Sequence, residues 1–163
     1  MADGAVMADS DEIFLALSGP LEVAAERVAR VLGLEFNGDL RGETGELQYK
    51  RSARTSDGVV GVYIGPNTFE PEPDEVQAMD GYALVVDVQY RTHKPKQAEE
   101  ARLAFAALAG GLPDVPALLS HNVEMLVAAY LPERGSHTFE PGTTLDDPDQ
   151  STWEPWVATG ADD

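Results

Sequence analysis

The chain has no cysteine. That one absence removes disulfide frameworks, thiolate metal ligands and thiol nucleophiles together, and it permits a reducing, cytoplasmic setting. No apolar run approaches the roughly 20 residues of a membrane span. The longest early one, "IFLALSG", is cut by Gly19 and Pro20, and "MADGAVMADSDE" carries acid where a secretory signal needs base. The expectation is a soluble, non-exported, cytoplasmic protein without membrane contact. Base is scarce as well: three lysines and eight arginines face 29 acids, for a formal charge of -18. Such a field repels nucleic acid and attracts basic proteins, polyamines and divalent cations. Direct nucleic-acid binding is therefore not expected. Plain solubility, or life in high salt, accounts for the same charge.

Signature motifs are missing too. There is no GxGxxG, P-loop or GxSxG. His93, His121 and His137 lie apart, without an HxH or HExxH pairing, so no metal or cofactor is expected. Neither "EPEPDEVQAMDG" nor "DDPDQSTWE" follows an EF-hand loop: prolines separate the acids of the first, and the second lacks the turn glycine. No catalytic residue is singled out.

What is present reads as one α+β domain over residues 12–132, between a flexible N-terminus, 1–11, and an acidic, Pro- and Gly-rich C-terminal tail, 133–163. "EIFLAL" reads as a strand. Leu21, Val23, Ala24, Val28, Val31 and Leu32 then recur with helical spacing, Ser18 as N-cap and Gly33 as the C′ residue. "LEF" can return to the core before the turn chemistry of "NGDLRGETGE". "LQYKRSAR" and "GVVGVYIG" form a hairpin across Thr55, Ser56 and Asp57, with Val60, Val62 and Ile64 on one face. "GYALVVDVQY" is the strongest strand and should lie centrally. Ala98, Ala101, Leu103, Phe105, Ala106 and Leu108 offer a second helix a packing face up to Gly110 and Gly111. "NVEMLVAAYLP" reads as a last strand. The order βαβββαβ predicts a mainly antiparallel sheet with both amphipathic helices on one face, possibilities that include a split βαβ relationship.

The acids are unevenly placed. Thr55 to Tyr90 holds seven and no lysine or arginine, whereas Arg91, Lys94, Lys96 and Arg102 gather before and within the second helix. At the centre of the acidic stretch stands "FEPEPDE". Its prolines stiffen a loop carrying Glu70, Glu72, Asp74 and Glu75, followed by Asp80. Phe69 is either tucked onto the core or offered to a partner as an aromatic anchor. "TFEP" recurs at 138–141. Trp153 and Trp156, three apart near the end, should fold back onto the domain or meet a partner, because exposed tryptophan is costly.

A small, cysteine-free, acidic chain opening "EIFLALSGPLEVAAERVARVLGLEF" resembles bacterial immunity proteins, which neutralise toxins, many of them basic nucleases. The resemblance implies a cytoplasmic inhibitor of bacterial origin that covers the active site of a basic toxin. The partner-binding surface would include Phe69, Glu70, Glu72, Asp74, Glu75 and Asp80, with Trp153 and Trp156 available as anchors. Two further readings stay open: an adaptor or chaperone-like module binding through its C-terminal tail, and a small enzyme whose site is assembled from scattered acids and histidines.

Overall fold

A computed structural model describes residues 10–68 and 76–158. Its fold is α+β: an eight-stranded, wholly antiparallel sheet with three helices among the described residues. The strands are β1 (Asp11–Leu15), β2 (Glu35–Leu40), β3 (Glu46–Ser52), β4 (Val59–Pro66), β5 (Leu84–Gln89), β6 (Ala117–His121), β7 (Met125–Leu131) and β8 (Gly135–Thr138). The helices are α1 (Leu21–Leu32), α2 (Gln97–Gly111) and the single turn α3 (Gln150–Trp153). Across the sheet the order is β2-β3-β4-β5-β1-β6-β7-β8. β5 and β6 both run antiparallel to β1 and flank it, and α2 carries the chain over from one to the other. β1 is thus inserted into a split βαβ unit.

Strand alternation sends side chains to two separate cores. Ile13, Leu15, Val86, Val88, Ala117 and Leu119 join Ala25, Val28, Leu32, Ala101, Phe105 and Leu108 of α1 and α2 in one cluster. Phe14, Leu118, Leu126 and Ala129 point the other way, toward Met79, Tyr82, Phe139, Leu145 and Trp153. Both faces of the central strand are consequently covered, and all five residues of β1 are buried.

α1 ends as its sequence indicates. Gly33 sits at φ 69°, ψ 42°, the left-handed conformation that glycine adopts without steric cost, and its N–H bonds to the Ala29 carbonyl. Ser18 is not the cap. Pro20 flanks the helix, and its carbonyl accepts the N–H groups of Val23 and Ala24 with no side-chain cap. Glu26 and Arg30 form the expected i, i+4 pair at 3.7 Å, in solvent on both sides.

Other expectations need correction. The inward stripe of α2 is Gln97, Glu100, Ala101, Ala104, Phe105 and Leu108, while Ala98, Leu103 and Ala106 are exposed. Two polar members disguise that stripe, and both are buried because their hydrogen bonds are made. The Gln97 amide accepts the Tyr90 N–H and donates to Asp11, at 2.9 Å each. One Glu100 oxygen accepts the N–H groups of Arg54 and Thr55, both at 2.7 Å. Asn37–Leu40 belong to β2 rather than to a turn, which falls at 41–45. β2, β6 and β8 add strands beyond the expected order. Residues from Glu133 do not trail away as a tail: β8 pairs with β7, and Phe139, Leu145 and Trp153 enter the second core. No described helix is long and apolar enough to cross a membrane.

Candidate functional site: an acidic layer on the sheet

The cover opposite α1 and α2 is built from two segments far apart in sequence, 76–82 and 139–158. Backbone and side-chain bonds stitch them together. The Ala78 N–H meets the Leu145 carbonyl at 2.9 Å, and the Gln77 amide donates to Asp146 at 2.8 Å. The Trp153 indole donates to the Asp146 carbonyl at 3.1 Å, and the Ala158 N–H to the Tyr82 hydroxyl at 3.0 Å. Asn67 anchors the first segment by donating to the carbonyls of Met79 and Tyr82.

This pairing joins part of each of the two base-free stretches of the chain. Thr55–Tyr90 carries seven acids and no lysine or arginine, and so does everything after Arg134. Those two stretches hold fourteen acids between them; the rest of the chain, with fifteen acids against eleven bases, is close to neutral. The two segments that meet on this side of the sheet, 76–82 and 139–158, carry six of those fourteen acids and no lysine or arginine. Arg27 and Arg30 lie on α1, Arg102 on α2, and Arg91, Lys94 and Lys96 just before α2.

Beyond the covered part, the same face opens into a cleft of about 160 Å³ lined by Glu12, Thr44, Glu46, Gly65, Pro66 and Asp87, with no cationic side chain among the described residues of its wall. Burial pushes the Asp87 carboxyl up to about 7, helped by the nearby charge of Glu12. Glu12 is raised as well, chiefly by burial, against the lowering effect of hydrogen bonds from Ser10 and Ser120. Ser120 reaches it at 3.1 Å. A backbone bond from Val123 also reaches it, from a turn in which Asn122 and Val123 both take left-handed φ, 57° and 51°. That conformation is costly for a β-branched residue. Asp87 takes the Gln89 amide on one oxygen at 3.1 Å, and its other oxygen is buried with no hydrogen-bond partner. Such a cleft repels anions and is eased by positive charge.

Of the residues expected at the site, Phe69, Glu70, Glu72, Asp74 and Glu75 lie outside the described residues. Asp80 is exposed and accepts the Gln77 N–H at 2.9 Å. Trp153 is only 2% exposed. Trp156 is half-buried, stacked on His137 at 4.3 Å and 8°, with the Arg134 guanidinium 4.3 Å from its ring centre. Asp80 and Trp153 line one cleft, and Trp156 stands outside it.

The three histidines lie in three places. His93 precedes α2 and tilts against Tyr90; His137 belongs to the Trp156 stack. His121 Nδ1 lies 2.7 Å from a buried Asp11 oxygen, and the two line a small cleft with Arg102 in which no serine takes part. Among the described residues, no group of three or more histidines and carboxylates is placed to hold a metal ion. Sequence reasoning missed the meeting of Glu12, Glu46 and Asp87, which only sheet register brings together. The absence of base after Arg134 was readable and marks the second half of the layer.

Comparison with known protein families, curated proteins and solved structures gives no match for this chain. The functional reading accordingly rests on the surface itself.

Proposed function

We propose that this protein is a binding module for a basic protein partner, which it inhibits by covering the partner's functional surface, as an immunity protein covers a toxin. One observation carries the reading: the two segments that close together over this side of the sheet, 76–82 and 139–158, hold six acids and no lysine or arginine. A surface charged on one side steers a partner of opposite charge into a single orientation and speeds encounter. The Asp87 cleft supports the reading from within that layer, because its buried carboxylates have no cation among the lining residues. Mechanistically, inhibition is steric and electrostatic. The acidic layer supplies orientation and rate, and the rigid sheet beneath it supplies shape.

The test is capture from a lysate of the protein's own source at low salt, followed by a salt ramp and mass identification. One stoichiometric basic protein, released by salt and inhibited on re-addition, is the expected result. If that partner's binding is unchanged after four acids of the layer are reversed, the reading fails. If partners are retained at high salt, or only acidic ones are captured, it fails as well.

A further inference from the structure

A second cleft, of about 180 Å³, opens on the acidic layer where segment 76–82 meets α3 and the residues after it. Its floor is apolar: Ala78 and Trp153 are buried, and Val157 and Ala158 half-buried. Its rim carries two exposed carboxylates, Asp80 and Glu154, and among the described residues no lysine, arginine or histidine lines it. The parts are held in place. Asp80 accepts the Gln77 N–H, Trp153 donates to the Asp146 carbonyl, and Ala158 donates to the Tyr82 hydroxyl.

An apolar floor beneath a negative rim matches the two ends of a long basic side chain, a methylene stem and a cationic head. A purely apolar side chain would leave the rim charges without a counter-charge, and an acidic one would be repelled. We propose that this cleft seats a lysine or arginine side chain of the partner, its stem against Trp153 and Val157 and its head between Asp80 and Glu154. The inference rests on the basic-partner reading and names a contact that adds specificity to a field that is otherwise only attractive.

A fluorescein-labelled hexa-arginine peptide at low salt is the probe, read by anisotropy and by the indole N–H resonance of Trp153. In the parent protein the peptide should bind and move that resonance. Asp80→Asn with Glu154→Gln should weaken binding about tenfold, which is about 1.4 kcal/mol, and hold the resonance still, at an unchanged melting temperature. Glu124→Gln with Glu140→Gln removes the same charge outside the cleft and should weaken binding by less than about twofold. Glu154→Lys, an exposed change that leaves the core untouched, should also silence the Trp153 response. Equal weakening by the two double variants, or a Trp153 response that persists without Asp80 and Glu154, overturns the cleft and leaves the basic-partner reading standing. A parent protein that does not bind the peptide at all overturns both.

Discussion

The two sides of the sheet are covered by different kinds of chain. On one side α1 and α2 lay regular aliphatic stripes against Ile13, Leu15, Val86 and Val88. On the other, two short irregular segments close over Phe14 and Leu118 with Met79, Tyr82, Phe139 and Trp153. Repeating structure can satisfy its own backbone, so the first cover needs little beyond packing. The second needs cross-links at Leu145, Asp146 and Tyr82 to hold its shape. Irregular segments on a rigid support are also where binding residues usually sit, and here they carry six acids and no lysine or arginine.

Removing the plug of the irregular side should break the contrast most visibly. Trp153→Ala is expected to cost about 3–5 kcal/mol in denaturant unfolding, with amide protection lost first in 76–82 and 139–145. Loss of protection spread evenly into α1 and α2 would mean that the two covers form one cooperative unit.

Asp87→Asn sharpens the comparison by acting on the open part of the same face. The folded carboxyl, at about 7, lies above its ordinary 3.8. The native state therefore keeps a proton that the unfolded chain releases, and this group's contribution to stability falls as pH rises from about 4 to about 7. The shift alone would amount to about 4 kcal/mol, which water reaching the cleft reduces to about 2. The variant should accordingly be more stable than the parent by about 2 kcal/mol at pH 8 and equal to it at pH 4, as read by urea midpoints at the two pH values.

On the helical side, Glu100→Ala leaves the N–H groups of Arg54 and Thr55 without their acceptor and should cost about 1–3 kcal/mol. Glu100→Gln should recover part of it. The smallest effect is expected from Arg134→Ala, which removes a cation from the Trp156 ring at the margin of the acidic layer and should cost about 0.5–1 kcal/mol. A larger loss in thermal melting would place that stack inside the cooperative core.

The regular side was the legible one. The spacing of Ala24, Val28 and Leu32, the stop at Gly33, the hairpin with Val60, Val62 and Ile64, and the apolar run of β5 all follow local rules that a single chain displays. β6 escaped because "ALLSH" is short and four of its five residues are buried, so no alternation marks it. β8 escaped because "GSHT" is an edge strand with no apolar residue. Gln97 and Glu100 are absent from the expected packing face because their burial depends on partners on β1, just after β5 and in the β3–β4 turn. The candidate site was half legible: charge pattern pointed to Thr55–Tyr90, and tryptophan's aversion to water pointed to Trp153. That the two segments meet through Ala78 and Leu145 depends on a contact no local pattern encodes.

The place of β1 bears on how the molecule is made. It precedes every other strand among the described residues, yet its neighbours on both sides come much later: Ser120, bonded to Glu12, is 108 positions further on. As the polypeptide leaves the ribosome, "DEIFL" must wait without its native partners until both β5 and β6 have emerged, and pairings of such long range form slowly. The strand that ends most deeply enclosed is thus the one longest open to wrong associations, and Asp11 and Glu12 at its head make sticking to a like chain less favourable during that wait.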